Sequence, residues 1–292
     1  MKPAPFDYHA PRTLDEATTL MATLDNAKLL AGGQSLVPMM NFRYVIADHI
    51  VDLSKIEGLA GISTVDGKMR IGAMTRQREL EFSAEVAERC PLLIEALAHV
   101  GHRQTRNRGT IGGSLSHADP AAELPVICAV HDATIEIASS RGTRRIPFGE
   151  FALSFMTTSV EPDEIVTAIE FALWPKGHGY GFQEFARRRG DFAIAGAAAL
   201  IELNPDKTVK QAAIALCGVA NVPMRVAAAE AALAGKPLDA AILRAAAATT
   251  GSLTAISDIH ASADYRLHLA GVLVFRALRD AAARCGSPIQ GI

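Results

Sequence analysis

Cysteine is scarce in this sequence and is never clustered. The four cysteines of the 292-residue chain are Cys90, Cys128, Cys217 and Cys285, and none belongs to a C-x-x-C pair. Iron–sulfur clusters and structural zinc sites need closely grouped thiolates, so we predict no metal site inside this chain. The cysteines stand in apolar surroundings and are expected to be reduced core residues. Any redox chemistry would therefore require a bound organic cofactor.

The chain also lacks an excess of either charge and any long apolar run. Its formal net charge of −2 gives no electrostatic reason to expect a nucleic acid or an anionic membrane as partner. The longest apolar run, Ala193 to Ile201, is too short for a transmembrane helix, which needs about 20 residues. The first residues lack the apolar core of a signal peptide. We therefore expect a cytoplasmic protein without integral membrane contact.

The usual nucleotide-binding signatures are missing as well. The sequence contains no G-x-x-x-x-G-K-[ST] motif, and Gly177-His178-Gly179-Tyr180-Gly181 does not match G-x-G-x-x-G. Neither a P-loop nor a Rossmann-type site is predicted.

Two paired-glycine segments are the most informative motifs that are present. The first turn is Ala31-Gly32-Gly33-Gln34-Ser35, between Lys28-Leu29-Leu30 and Leu36, and the second is Thr110-Ile111-Gly112-Gly113-Ser114. Paired glycines let backbone N–H groups approach an anion and permit positive φ. Taken singly, either pair could be a structural bend. Together, with hydroxyl side chains beside both, they predict two turns that grip one pyrophosphate, and we favour FAD as the dinucleotide.

The segment 101–120 is dense in glycine, basic and polar residues, and we predict that it is a long functional loop. Glu123 follows this segment and could accept hydrogen bonds from ribityl or ribose hydroxyl groups. A hydrolytic triad of Ser114, His117 and Asp119 is rejected, because three residues in one short stretch rarely reach that geometry.

Hydrophobic periodicity and turn residues predict an α+β chain with two domains. Strands are expected at 28–30, 49–53, 68–73, 134–138, 164–171, 181–186, 195–203 and 211–219. Helices are expected at 13–24, 36–40, 75–82, 91–100, 121–129, 224–234, 238–249 and 263–283. The segment 174–179 is typical of a linker, so we place one domain at 1–175, with subdomains at about 1–58 and 59–175, and a second at 176–292.

Four stretches, in order along nearly the whole chain, carry a resemblance to a known family. They are Lys28 to Arg43, Arg106 to Pro125, Glu184 to Ala193 and Ser262 to Leu278. The first two resemble the FAD loops of the molybdenum hydroxylase flavoproteins. These are the medium subunits of enzymes such as carbon monoxide dehydrogenase and the matching domain of xanthine dehydrogenase.

The resemblance implies an FAD-binding domain of the vanillyl-alcohol-oxidase (PCMH) type, followed by a smaller α+β domain with a three-stranded sheet and helices. It places these residues at FAD: Lys28, Leu29, Leu30, Ala31, Gly32, Gly33, Gln34, Ser35, Leu36, Thr110, Ile111, Gly112, Gly113, Ser114 and, at the ribityl hydroxyls, Glu123. Family members often carry His where this chain has Gln34, and Asn or Asp where it has Ser114. Several flavoproteins of this broad fold attach FAD through a loop histidine. Because Gln34 cannot form that bond, non-covalent FAD is expected.

The resemblance further implies partners that hold the other cofactors. A large subunit would carry a molybdenum cofactor and a small subunit two iron–sulfur clusters, with a dimer of heterotrimers as the assembly. Electrons would pass from the clusters through FAD to an external acceptor, so we expect no catalytic side chain on this chain. The alternative is a stand-alone FAD-dependent oxidoreductase of the same fold. A scaffold that has lost its flavin is disfavoured because both glycine segments are intact.

Two basic groups remain outside this assignment. His99 and His102 could share a helix face as a metal pair, but a polar cluster is favoured because we expect no carboxylate or third ligand nearby. The run Arg187-Arg188-Arg189 could bind a nucleotide phosphate or an acidic partner surface, or could be a solvated turn. The sequence leaves these alternatives open.

Overall fold

The computed structural model describes residues 1–287 as a mixture of helices and strands. The elements of the first part are β1 (Asp7–His9), α1 (Leu14–Thr23), β2 (Ala27–Leu30), α2 (Leu36–Asn41), β3 (His49–Asp52), β4 (Ile62–Val65), β5 (Lys68–Gly72), α3 (Gln77–Glu81), α4 (Ala84–Arg89), α5 (Pro91–Leu97), α6 (Arg103–Arg108), α7 (Ile111–His117), α8 (Glu123–Val130), β6 (Thr134–Ser139), β7 (Gly142–Pro147), α9 (Phe148–Phe151), β8 (Ala152–Ser154), β9 (Thr157–Thr158) and β10 (Ile165–Ala172). The remaining elements are β11 (Gly179–Phe185), β12 (Ala195–Leu203), β13 (Val209–Cys217), β14 (Met224–Arg225), α10 (Ala227–Leu233), α11 (Ala240–Ala248) and α12 (Ala263–Arg284).

Three sheets organise these elements. A small parallel sheet has the strand order β1-β3-β2, and a five-stranded antiparallel sheet has the order β4-β5-β10-β6-β7. The antiparallel sheet of the C-terminal part has the order β11-β12-β13-β14. Strands β8 and β9 form a separate hairpin.

The start of the chain shows how local signals place the first glycine segment. Thr13 Oγ1 accepts a hydrogen bond from the Glu16 amide at 3.1 Å, and Glu16 Oε2 accepts one from the Thr13 amide at 3.4 Å. This reciprocal capping box begins α1, and β2 follows it as predicted. Strand β2 runs parallel to β3, so the turn after Leu30 emerges at the carboxyl edge of the small sheet. Ligands commonly bind at that edge of parallel sheets.

The core joins both parts of the chain. Helix α8 is buried throughout and packs against both β12 and β13. Along β12, Ala198 and Leu200 belong to the core around α5 and α8, whereas Ala197 and Ile201 belong to the core under α12. This alternation is the two-residue period of a strand that is buried on both faces. The C-terminal sheet is therefore anchored directly on the first part of the chain.

The prediction of one long loop over 101–120 is wrong, because α6 and α7 occupy most of that segment. Helix α6 is polar and has no buried residue, so it carries no hydrophobic period, and the glycine pair lowers the helix propensity of α7. Strand β7 also escaped prediction, since it is an edge strand whose Arg144 and Arg145 face carboxylates on β10 or just before it.

The two-residue strand β14 adds a fourth strand to the C-terminal sheet, which the sequence analysis expected to have three. The segment between β10 and β11 has no regular secondary structure. Within residues 1–287, no helix is long and apolar enough to span a bilayer.

Candidate dinucleotide-binding site

A cavity of about 590 Å³ lies where three distant segments of the chain meet. Its walls are the turn after β2, the beginning of α7 with Glu123 of α8, and the segment 190–192 after β11. The volume lies in the range of about 300–1,000 Å³ that is typical of small-molecule sites. A second cavity, of about 680 Å³, lies around Trp174 and His178 and contains neither glycine segment.

Most of the residues predicted to contact a dinucleotide line the first cavity. They are Lys28, Leu29, Ala31, Gly32, Gly33, Gln34, Ser35, Leu36, Thr110, Gly112, Gly113, Ser114 and Glu123. Leu30 and Ile111 are placed elsewhere: Leu30 packs beside Met40 and Ile50, and Ile111 is fully buried in the main core. These two side chains pack into the hydrophobic core and hold the adjoining glycine segments in position.

The first glycine turn presents unpaired backbone donors. Within the described residues 1–287, the amide groups of Gly32, Gly33, Gln34 and Ser35 have no hydrogen-bond acceptor. Gly33 has a φ of 72°, a left-handed conformation that a side chain would disfavour. Successive N–H groups in such a turn form a concave site for an anion. The Gln34 carboxamide closes the turn by donating to the Gly32 carbonyl at 3.2 Å.

The second glycine segment differs from this arrangement, because it is the first turn of helix α7. Thr110 is the N-cap, and its hydroxyl accepts from the Gly113 amide at 3.1 Å. The amides of Ile111 and Gly112 donate to the carbonyls of Thr75 and Ala73 at 3.2 and 2.9 Å. These backbone donors are already used within the protein, so α7 offers the cavity its side chains and a rigid wall rather than a second set of free amides.

The glycines serve close packing between the two segments. A Cβ on Gly32 would overlap the carbonyl oxygen of Arg108 and lie 2.8 Å from Gly109 Cα. A Cβ on Gly112 would lie 2.5 Å from the Ala73 side chain, and one on Gly113 would lie 3.5 Å from that of Ala31. The turns are therefore pressed against each other and against the residue after β5.

Glu123 stands at the start of α8, beside the cavity. It is 7% exposed, and burial raises the pKa of its carboxyl group to about 7. Glu184 of β11 is a second buried carboxyl group, and its Oε2 has no hydrogen-bond partner in the described part of the chain. Burial, with a smaller effect of Glu123, raises the pKa of Glu184 to about 8.

Glu123 was predicted from the sequence as a site residue, whereas Glu184 was not. A signal was present, since Glu184 follows the buried Phe182 by two residues on β11 and so shares its inward face. Contrary to expectation, a carboxylate does lie near His99. The Nδ1 atom of His99 is 3.8 Å from Oε1 of Glu184. Within residues 1–287, however, no group of three or more His, Cys, Asp or Glu residues could hold a metal ion.

Other predicted candidates lie around the rim. Ser114, His117 and Asp119 all line the cavity, but no hydrogen bond links any two of them in the described structure. Arg187, Arg188 and Arg189 are exposed after β11, and Phe192, at the end of the same segment, is 66% exposed.

Comparison with known proteins gives matches along nearly the whole chain. Residues 4–174 match the family model of the FAD binding domain in molybdopterin dehydrogenase, and residues 180–281 match that of the CO dehydrogenase flavoprotein C-terminal domain. The 6-hydroxypseudooxynicotine dehydrogenase complex subunit alpha of Paenarthrobacter nicotinovorans is 40% identical over 97% of each chain. The carbon monoxide dehydrogenase medium chain of Hydrogenophaga pseudoflava is 36% identical over 98% of this chain and 100% of its own.

The fold is likewise similar to a solved one. A chain of carbon monoxide dehydrogenase from Hydrogenophaga pseudoflava superimposes with a TM-score of 0.94 and 38% identity, covering 98% of this chain and 100% of that one.

Proposed function

Because the chain belongs to the FAD-binding medium subunits of the molybdenum hydroxylases, we propose that it binds FAD non-covalently in the cavity between the two glycine segments. The observation that carries this proposal is the set of unpaired amides at Gly32–Ser35, whose residues line a cavity large enough for an organic cofactor. Bound FAD would supply the redox chemistry for electron transfer between iron–sulfur clusters of a partner subunit and an external acceptor.

The residues of the chain have separate tasks in this proposal. The amides of Gly32–Ser35 hold the pyrophosphate, and Ser114, at the opposite wall, supplies a hydroxyl. Lys28, Leu29, Ala31, Leu36, Thr110, Gly112 and Gly113 complete the walls, while Leu30 and Ile111 hold both segments in position from the core. Glu123 meets the ribityl hydroxyls. No side chain is assigned as a general acid or base for substrate, because substrate oxidation takes place on another subunit.

The chemistry of the first turn supports non-covalent binding. Gln34 is exposed on the first turn and has no nucleophilic atom suited to a flavin linkage. The other residues of this turn offer backbone amides and the Ser35 hydroxyl, which bind reversibly.

The proposed partners are a large subunit with a molybdenum cofactor and a small subunit with two iron–sulfur clusters, arranged as a dimer of heterotrimers in the cytoplasm. Two exposed surfaces beside the cavity suit such contacts. In the segment Met39–Tyr44, Met39 lines the cavity and Tyr44 is 82% exposed. The segment 187–192 combines three arginines with the exposed Phe192. Aromatic and arginine side chains are enriched at protein interfaces.

We also propose that the chain is divided near residue 175. The irregular segment between β10 and β11 and the limits of the two family matches support a first domain at 1–175 and a second beginning at 176. The shared core around α8 explains how the two would remain fixed on each other.

The assembly can be tested by co-expressing the chain with the genes adjacent to its own. We expect a complex that contains iron, molybdenum and FAD and that passes electrons from substrate to an acceptor. Tyr44→Glu should release this chain from the complex while leaving its flavin content unchanged. The control is Ile259→Glu, at another exposed apolar residue. If the chain alone oxidises an organic substrate as fast as the complex does, the stand-alone oxidoreductase replaces this proposal.

A further inference from the structure

The second cavity, of about 680 Å³, is separate from the proposed FAD site. It lies where the end of α4, the segment between β10 and β11 and the last residue of α12 meet. Within residues 1–287, it shares no lining residue with the cavity between the glycine segments. Its volume is in the range that is typical of small-molecule sites. FAD bound between the glycine segments would therefore not fill it.

Three aromatic rings lie in a row along this cavity. Trp174, His178 and Tyr180 all line it. The ring centroids of Trp174 and His178 are 6.1 Å apart, and those of His178 and Tyr180 are 6.0 Å apart. Trp174 and Tyr180 also pack against the main core, which fixes both ends of the row. Such rings offer flat apolar surface on which a planar aromatic molecule can stack.

The middle ring of this row contains an unused hydrogen-bond acceptor. His178 Nδ1 is 2.9 Å from the carbonyl oxygen of Pro175, and because a carbonyl only accepts, Nδ1 carries the proton. Burial lowers the pKa of His178, which favours the neutral ring with Nε2 as an acceptor. Nε2 is buried and has no hydrogen-bond partner within residues 1–287. Buried polar atoms are normally paired, so this nitrogen indicates a donor that a ligand could supply.

The charged side chains give the cavity an excess of positive charge. Arg89, Lys176 and Arg284 line it, together with one acidic residue, Glu88. Arg284 is bound to Glu95, with nitrogen–oxygen distances of 2.6 and 3.1 Å. Neither Arg89 nor Lys176 has a salt bridge within residues 1–287. Arginine and lysine side chains without a carboxylate partner are suited to bind phosphate groups.

We propose that this cavity is a second ligand site, which binds a planar aromatic molecule carrying a phosphate group, such as a purine mononucleotide. The base stacks along the row of aromatic rings, and its amino group supplies the donor missing at His178. Arg89 and Lys176 bind the phosphate, whose several oxygens can accept from two separate cations. This site goes beyond the proposed function, since it needs no FAD in the other cavity.

Fluorescence can test the proposal directly, because Trp174 is the only tryptophan of the chain. The full-length chain is first saturated with FAD, which keeps the probe out of the cavity between the glycine segments. It is then titrated with AMP to about 1 mM, a concentration that detects weak binding. We expect a saturable change in Trp174 fluorescence while FAD stays bound. Adenosine, which lacks the phosphate, and ribose 5-phosphate, which lacks the base, should each bind at least about tenfold more weakly.

Substitutions of the two cations locate the bound phosphate. Lys176→Gln and Arg89→Gln change exposed side chains, so each should weaken AMP binding by roughly 3- to 10-fold without changing the FAD content. The control is Lys236→Gln, at an exposed lysine outside the cavity, which should bind AMP like the native chain.

Absence of a saturable change with AMP would overturn the inference and leave the proposed function standing. Equal AMP affinities of the native chain, Lys176→Gln and Arg89→Gln would also overturn it, as would displacement of FAD by AMP. If the chain does not take up FAD, the proposed function fails, and the same titration of the chain and its variants without FAD decides this inference.

Discussion

Gly32 packs directly on the backbone of Arg108, where a side chain on Gly32 would overlap the Arg108 carbonyl. This contact joins the turn after β2 to the residues immediately before α7. The cavity therefore depends on two segments that hold each other in place, so the packing of these segments and their contacts with a cofactor can be tested separately.

Replacement of Gly32 by Ala should disturb both stability and FAD content. The added methyl group meets backbone atoms, which cannot rotate away, so we expect a loss of about 1–3 kcal/mol in the free energy of unfolding. Urea denaturation and flavin absorbance after purification measure the two effects. The matched control is Gly149→Ala, because a Cβ on Gly149 meets nothing within 4 Å. Equal behaviour of the two variants would show that the Gly32 contact is unimportant.

Substitutions in α7 should distinguish folding from cofactor binding. Gly112→Ala places a methyl group 2.5 Å from the Ala73 side chain, so we expect it to destabilise the fold rather than only to block the pyrophosphate. Ser114→Ala removes a hydroxyl at the cavity wall and should weaken FAD binding by roughly 2- to 10-fold, the value of one hydrogen bond, without changing the unfolding midpoint. A stable Gly112→Ala protein that has lost FAD would reverse this assignment.

His131 should make stability depend on pH in the acidic range. Its ring is buried against Phe171 and Cys90, and burial lowers its pKa to about 4. Because the folded-state pKa lies below the unfolded value of about 6.5, the associated stability is complete above pH 6.5 and is lost as the pH falls toward 4. Relative to His131→Gln, the native chain should lose on the order of 3 kcal/mol between pH 7 and pH 4.

Chemical denaturation at several pH values measures this difference, with His268→Gln as the exposed control. Carboxyl groups with raised pKa values, such as Glu123 and Glu184, change the free energy of unfolding in the opposite direction as the pH falls. Both proteins contain these groups, so their contribution cancels when the native chain is compared with His131→Gln. Parallel pH profiles for the native chain and His131→Gln would contradict the assignment.

Local signals in the sequence were sufficient for much of the fold. The capping box at Thr13 and Glu16 predicts the start of α1. Alternating and apolar runs predict the strands next to the first glycine turn. The glycine pairs and Glu123 were recognisable because their residue types are unusual beside apolar segments. The family resemblance supported FAD as the identity of the cofactor.

The remaining features depend on tertiary contacts that no local pattern encodes. The amides of Ile111 and Gly112 are occupied by carbonyls of Ala73 and Thr75, which follow β5 far away in sequence. This pairing converts the expected second anion-binding turn into a structural wall. Glu184 likewise becomes informative only when β11 is packed beside α5. Its Oε2 is buried without a hydrogen-bond partner within residues 1–287, and this property cannot be inferred before the fold is known.

The most direct test of the central claim is flavin binding by the isolated full-length chain. Titration of the apoprotein with FAD measures the binding stoichiometry, and subsequent acid precipitation shows whether the flavin is covalently attached. The account predicts about one FAD per chain, in keeping with a single organic cofactor in this cavity, and complete release of the flavin into the acid supernatant. Absence of binding, or flavin that remains on the precipitated polypeptide, would contradict it.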